Sequence, residues 1–111
     1  MGFDQYHEPP AELSAEARTY ARMIASLTEE AEAIGWYAQR IALESDDEAK
    51  TIMKHSQQEE FTHFGMDLEF LLRRTPKWRA VLKEILFTEG DIVEAEEEAE
   101  EVMEQMEDEE S

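Results

Sequence analysis

The sequence predicts an all-α protein built on an antiparallel two-helix hairpin, with short helices following it. Apolar residues recur at alternating spacings of three and four through two long stretches, which is the period of a helix with one buried face. A polar loop signal, Ser45-Asp46-Asp47, separates these stretches, and Thr75-Pro76 ends the second. The two long helices are therefore expected to fold back on each other.

Residues 1–12 are expected to form an irregular N-terminal arm, because they contain a glycine and two adjacent prolines. Ser14 is the expected N-cap of the first helix, which should continue to about Glu44. Glu30 occupies an inward position in a stripe that is otherwise apolar. The other members of that stripe are Leu13, Tyr20, Met23, Leu27, Ile34, Tyr37 and Ile41.

The second helix should begin at Asp46 or Asp47 and continue to about Arg74. Beside one of its faces lies a strongly apolar stripe, so Glu60 borders buried surface. Burying an isolated carboxylate costs several kcal/mol or raises its pKa, and a metal cation removes that difficulty. The face that carries Glu60 also holds Ala49, Met53, Ser56, His63, Asp67 and Phe70.

Thr75 and Pro76 fit the N-cap and first position of a third helix, expected over about 76–87 and ended by Gly90. The apolar residues of this helix cover too wide an arc for an isolated amphipathic helix, so some of them should contact a partner chain.

The remaining residues, 91–111, are dominated by glutamate and keep only a weak apolar face. Like-charge repulsion should fray the last several residues. This segment is either a solvated tail or a diffuse collector of cations or a tether. Three parts follow: an arm (1–12), a half-bundle domain (13–90) and an acidic C-terminal helix or tail (91–111).

A candidate metal centre lies on the two long helices. A glutamate and a histidine three residues apart, as in Glu60-x-x-His63, share a helix face and can reach one metal ion. Glu30 and Glu60 each lie 15 residues from Ser45. In an antiparallel hairpin both are then about 22 Å from the turn and level with each other. A carboxylate with an imidazole suits iron, manganese or zinc better than calcium or magnesium.

This cluster amounts to half of a di-iron carboxylate site. Such bundles use a Glu from each of two helices and a Glu-x-x-His from each of the other two. The chain has one of each, and its sequence contains no second Glu-x-x-His. We therefore expect a two-fold dimer to complete the site and the four-helix bundle around it.

The composition limits the other functions. The formal net charge of −19 argues against binding to nucleic acid or to an anionic membrane. There is no cysteine, which excludes disulfides and thiolate metal sites, and no apolar run long enough to span a bilayer. A signal-peptide pattern is absent, so an intracellular protein is expected.

Three segments together carry a family resemblance: residues 28–40 (TEEAEAIGWYAQR), 55–63 (HSQQEEFTH) and 86–90 (LFTEG). They resemble the encapsulated ferritins, which are ferritin-like cargo proteins of encapsulin nanocompartments. The resemblance implies a ferroxidase that oxidises Fe(II) to Fe(III) with O2 at an inter-subunit di-iron site. It also implies a ferritin-like bundle, an annular decamer of five dimers, and an encapsulin shell in the cytoplasm as partner.

By motif position, the resemblance implies that Glu30, Glu60 and His63 are the iron ligands, with Tyr37 beside them and Trp36 behind. Core packing is the alternative role for Tyr37. The family's relatives end in a short apolar docking peptide, which the last residues of this sequence do not match.

Two further sites are implied. Glu29 and Glu32 would line an entry site that takes calcium or another divalent cation, and would otherwise be solvated helix face. His55 and Glu59 would form an outer metal site, and would otherwise be a surface ion pair. Thr62 stands where relatives often carry another glutamate of that outer site.

Two other functions stay open at this point. One is a metal-binding storage or buffer protein without redox turnover. The other is a structural oligomerisation module, in which arginine or lysine side chains across an interface satisfy the inward carboxylates.

Overall fold

The computed structural model of the protein describes residues 5–110, so residues 1–4 of the expected arm and residue 111 of the expected tail lie outside it. The described part contains four α-helices and no strand: α1 (Ala15–Leu43), α2 (Asp47–Arg73), α3 (Pro76–Ile85) and α4 (Ile92–Glu110). A short 3-10 helix, Pro10–Glu12, precedes α1. The predicted all-α class is confirmed. None of the described helices has both the length and the apolar character needed to cross a membrane.

Local capping chemistry sets the starts of the two long helices. Ser14 is the N-cap of α1, and its Oγ accepts a hydrogen bond from the backbone N–H of Ala17 at 3.0 Å. The Oδ1 atom of Asp46 accepts from the N–H of Ala49 at 2.9 Å in the same way at the start of α2. Each cap satisfies a backbone donor that has no partner within the helix.

The chain divides into two compact units, the first of which ends at Leu71 and contains α1 with nearly all of α2. Within this unit the two helices form the predicted hairpin. The side-chain amide of Gln57 on α2 donates a hydrogen bond to the backbone carbonyl of Ile34 on α1 at 3.0 Å. This bond fixes the register of the helices one turn away from both Glu30 and Glu60.

The hairpin buries little of its apolar surface. Of its described residues, only Leu71 is fully buried. A pair of helices has one shared interface, so apolar side chains that point elsewhere remain in solvent. Large ones with half or more of their surface exposed are Trp36, Leu43, Ile52, Phe61 and Met66.

The second unit begins at Leu72 and contains α3 and α4. Pro76 opens α3 as predicted, and Thr75 holds the N-cap position without capping through its side chain. The helix predicted over about 76–87 ends two residues earlier, at Ile85, and Gly90 lies beyond its end. Leu86 is already extended and Phe87 is left-handed, with φ at 61°, so the backbone leaves the helix without help from a glycine.

The acidic segment forms a continuous helix that packs on α3. Ala99, on its weak apolar face, is 2 % exposed, and the Nζ atom of Lys77 on α3 lies 3.2 Å from Oε1 of Glu107. The helix α4 extends to Glu110, and the predicted fraying of the last several residues stays a prediction. The contacts with α4 also cover part of α3, for which the sequence suggested a partner chain.

The Gln57 bond gives a stability prediction. Gln57→Ala should lower the free energy of unfolding by about 1 kcal/mol, the usual net value of one hydrogen bond. Gln58→Ala is the matched control, because Gln58 is exposed on the same helix and the change in helix propensity is the same. Urea denaturation of both variants at equal chain concentration without metal measures the difference, and equal effects would contradict the assignment.

Candidate metal centre

Glu30 is the inward carboxylate of α1, and it lies half-buried against α2. Its Oε2 atom is buried and has no hydrogen-bond partner. Burial, a hydrogen bond with the carboxyl group of Asp67 and the negative charges of Asp67 and Glu60 raise the pKa of Glu30 from 4.5 to about 7, against the lowering effect of His63. The structure therefore places Glu30 within electrostatic reach of both members of the Glu-x-x-His pair.

Glu60 and His63 contact each other directly on α2. His63 Nδ1 lies 3.2 Å from Glu60 Oε1, and the two side chains are 47 % and 23 % exposed respectively. An ion about 2.1 Å from both atoms would have an angle of about 100° between them, which is an ordinary angle for two neighbouring ligands. The same two atoms are within hydrogen-bonding distance of each other, and a cation bound by both would take the place of that hydrogen bond.

Asp67 joins this group, and the sequence analysis did not name it as a candidate. It follows His63 by four residues and Glu60 by seven, so all three lie on one face of α2. Its Oδ2 atom is buried without a hydrogen-bond partner, and among the described residues only Glu30 Oε2 shares that condition. The available signal was its place in the stripe of α2, but nothing in the sequence linked it to Glu30.

The side chains of Glu30, Glu60, His63 and Asp67 have the chemistry to bind a cation, but only as part of a larger ligand set. Within one chain, no three histidine or acidic side chains of residues 5–110 stand ready to hold a metal ion. The donor set, carboxylate oxygens with one imidazole nitrogen, is nevertheless the set that suits iron, manganese and zinc. The two buried oxygens also lack a positive partner, which a cation would supply.

The aromatic residues next to the site differ in exposure. Tyr37 is half-buried, and the Arg40 guanidinium lies 5.4 Å from the centre of its ring, a cation–π contact. Trp36 is 54 % exposed and borders a shallow surface depression with Gln39 and Arg40. A role for Tyr37 at the metal centre stays a prediction.

The two further candidate sites lie on exposed surface. His55 Nε2 is 3.0 Å from Glu59 Oε1, with side chains 73 % and 59 % exposed, so these residues form a surface ion pair here. Glu29 and Glu32 are exposed on α1, and nothing in the described residues singles out calcium as their ligand. Their entry and outer roles therefore stay predictions.

Comparison with known proteins identifies the family. Residues 5–89 match the EncFtn-like family model, which covers the hairpin and α3. The chain belongs to the EncFtn-like family. It is 44 % identical over 95 residues to "Ferritin-like protein" of Thermotoga maritima, covering 86 % of this chain and 83 % of the relative. The helix α4 begins beyond the matched region.

Two further comparisons agree with this assignment. The chain is 43 % identical over 86 residues to "Encapsulated ferritin-like protein" of Rhodospirillum rubrum, covering 78 % of this chain and 61 % of the relative. The crystal structure of protein NE0167 from Nitrosomonas europaea superimposes with a TM-score of 0.77 at 44 % identity, covering 80 % of this chain and 98 % of that one. The resemblance drawn from residues 28–40, 55–63 and 86–90 is confirmed.

The pKa of Glu30 predicts how stability depends on pH in this EncFtn-like chain. The folded chain keeps the Glu30 proton up to about pH 7, whereas the unfolded chain releases it near pH 4.5. The folded state therefore binds more protons across this window, and the free energy of unfolding should fall as pH rises through it. Urea denaturation with a chelator present, in steps from pH 5 to about pH 8, measures the slope.

Glu30→Gln should remove this contribution to the slope, because an amide does not ionise. Glu29→Gln is the matched control, since it changes an exposed neighbour by the same chemistry. An unchanged slope in Glu30→Gln would show that another group carries the pH dependence.

Proposed function

We propose that this EncFtn-like chain is a ferroxidase, which oxidises Fe(II) to Fe(III) with O2 at a di-iron centre formed by two copies of the chain. The observation that supports this most is the Glu30 carboxyl group, held with an unpartnered buried oxygen beside the Glu60–His63 pair of the other helix. Iron is the substrate of this reaction. A buffer protein without redox turnover has no separate observation in its favour.

The proposal needs two chains because one chain supplies only half of the ligand set that di-iron carboxylate bundles use. In a two-fold dimer, each copy would present Glu30, Glu60 and His63 to the shared centre. The exposed apolar residues of the hairpin supply surface for that contact, among them Phe61 and Met66 on α2. In the proposed assembly, five such dimers form an annular decamer.

In the proposed oxidation of Fe(II), the main contribution of the protein is the placement of the atoms that bind iron. Two Fe(II) ions give one electron each, and O2 takes both electrons and two protons to become H2O2. Carboxylate oxygens stabilise Fe(III) more than Fe(II), because the additional positive charge strengthens their attraction. Glu30 and Glu60 would therefore favour oxidation, while the neutral imidazole of His63 supplies a nitrogen donor without adding charge.

Release of a proton accompanies iron binding in this scheme. Glu30 is partly protonated near neutral pH, since its pKa is raised to about 7. A cation that binds the carboxylate replaces the proton, which leaves to solvent or to the reduced oxygen. Tyr37, on the same stripe of α1, is proposed to border the centre.

The names of the relatives support a cellular role. A relative called "Encapsulated ferritin-like protein" suggests that this chain too is a cargo of an encapsulin shell, inside a cytoplasmic nanocompartment that stores the ferric iron. Glu29 and Glu32 would attract divalent cations toward the centre, and His55 with Glu59 would bind metal farther out.

Two substitutions test the ligand assignment. Glu60→Ala and His63→Ala should each reduce the rate of Fe(II) oxidation in air to the rate without protein, because each removes a donor from both halves of the centre. Stopped-flow absorbance of Fe(III) measures the rate. Matched controls are Glu48→Ala and His7→Ala, which remove exposed residues away from the pair and should oxidise iron at the rate of the unchanged chain.

Oxidation that is as fast in Glu60→Ala and His63→Ala as in the controls would refute the ligand assignment. Oxidation no faster than the protein-free rate in the unchanged chain, together with stoichiometric metal binding, would favour a storage or buffer protein.

Assembly should be linked to metal, since a half-site is completed only by a second chain. Adding Fe(II) under anaerobic conditions should shift the mass measured by native mass spectrometry from monomer toward dimer and larger species. Glu60→Ala should show a much weaker shift. An assembly that forms fully with a chelator present and ignores Fe(II) would indicate a structural module instead.

A further inference from the structure

Asp67 is a half-buried acidic residue with one buried carboxylate oxygen, and the ligand set of the proposed function leaves it out. It lies on the face of α2 that carries Glu60 and His63, one turn beyond the histidine. Across the hairpin it acts on Glu30, because the Asp67 carboxyl group, through hydrogen bonding and its charge, helps to raise the pKa of Glu30.

The contacts around this pair are incomplete. Glu30 Oε2 and Asp67 Oδ2 are the two buried side-chain polar atoms in the described residues without any hydrogen-bond partner. Among the described residues, the groups that act on Glu30 are two other carboxyl groups and one imidazole, with no lysine or arginine among them. A solvated or purely structural pair would place these oxygens in water or opposite a cationic side chain.

The helix positions put the two donor pairs side by side. Glu60 and His63 form one pair on α2, and Glu30 with Asp67 forms a second pair across α1 and α2. Glu30 is electrostatically coupled to Glu60 and His63 as well. A cation bound by Glu30 therefore has Asp67 among its nearest oxygen donors.

We propose that Asp67 is a further metal ligand, which binds together with Glu30 so that each chain contributes three carboxylates and one imidazole to the centre. This inference rests on the proposed function, because it adds a residue to that same centre. A metal ion at this place would give the buried Asp67 Oδ2 atom the positive partner that it lacks.

Asp67→Asn separates this role from a positioning role. Asparagine keeps the shape of the side chain, and its amide can donate a hydrogen bond to the Glu30 carboxylate. The variant therefore preserves a contact that merely positions Glu30, but it removes a charged oxygen donor. Asp47→Asn is the matched control, because its side chain is exposed in the first turn of the same helix.

Titration with Co(II), followed by its visible absorption, gives the readout on the full-length chain without any redox reaction. The affinity of Asp67→Asn should fall by at least about tenfold, and its absorption band should change because the coordination changes. The control should match the unchanged chain in both. Asp67→Asn should be at least as stable as the unchanged chain without metal, since it removes a buried acid.

An Asp67→Asn variant that binds Co(II) with unchanged affinity and spectrum overturns the inference. If Asp67→Asn does not fold, Asp67→Ser is measured in the same way and decides by the same two readouts. The proposed function fails separately, if the unchanged chain binds no Co(II) or if Glu60→Ala binds it as well as the unchanged chain does.

Discussion

The placement of half-buried acidic side chains against each other between two helices is the constraint on which the rest of this structure depends. Asp67 and Glu60 both act on Glu30, and the imidazole of His63 is the basic group that opposes them. Burying an ionised carboxylate costs several kcal/mol. The Gln57 bond that joins the helices contributes only about 1 kcal/mol, so it does not offset that cost. Protonation of Glu30 relieves the repulsion in the metal-free chain, and a bound cation would relieve it more completely.

The hairpin also leaves much of its apolar surface exposed to solvent. Two helices shield one side of each, and Ile52, Phe61 and Met66 remain half-exposed or more on α2. In the second unit α4 packs along α3 and buries Ala99, while Phe87, Ile92 and Val93 stay exposed. The first unit therefore holds both the carboxylate oxygens without partners and exposed apolar residues. A partner that covered the apolar residues would also bring more donors to the carboxylates.

Local chemistry explains why so much of the fold follows from the sequence. The caps at Ser14 and Asp46 are decided within a few residues, so the helix starts were predictable. Equal distances from the turn were enough to bring Glu30 level with Glu60. The end of α3 was not predictable in this way, because a left-handed phenylalanine at Phe87 carries no sequence signal comparable to that of glycine.

Asp67 was missed for a different reason. In a chain with 29 acidic residues, one more carboxylate on a helix face carries little information. Its significance comes from the group opposite it on α1, and only the three-dimensional pairing shows that group.

The two histidine–glutamate pairs of α2 show that the motif alone does not make a site. His55–Glu59 and His63–Glu60 have nearly the same separation, 3.0 Å and 3.2 Å. They differ in surroundings: the Glu59 side chain is 59 % exposed and that of Glu60 is 23 % exposed. An exposed pair contributes about 0–1 kcal/mol and is satisfied by water and by its own partner. The Glu60 pair acts on a carboxyl group of the other helix, Glu30, whose Oε2 atom is buried without a hydrogen-bond partner among the described residues. A cation would supply the positive partner that this oxygen lacks, and that is the reason for proposing the metal centre at Glu60 and His63 and not at His55 and Glu59.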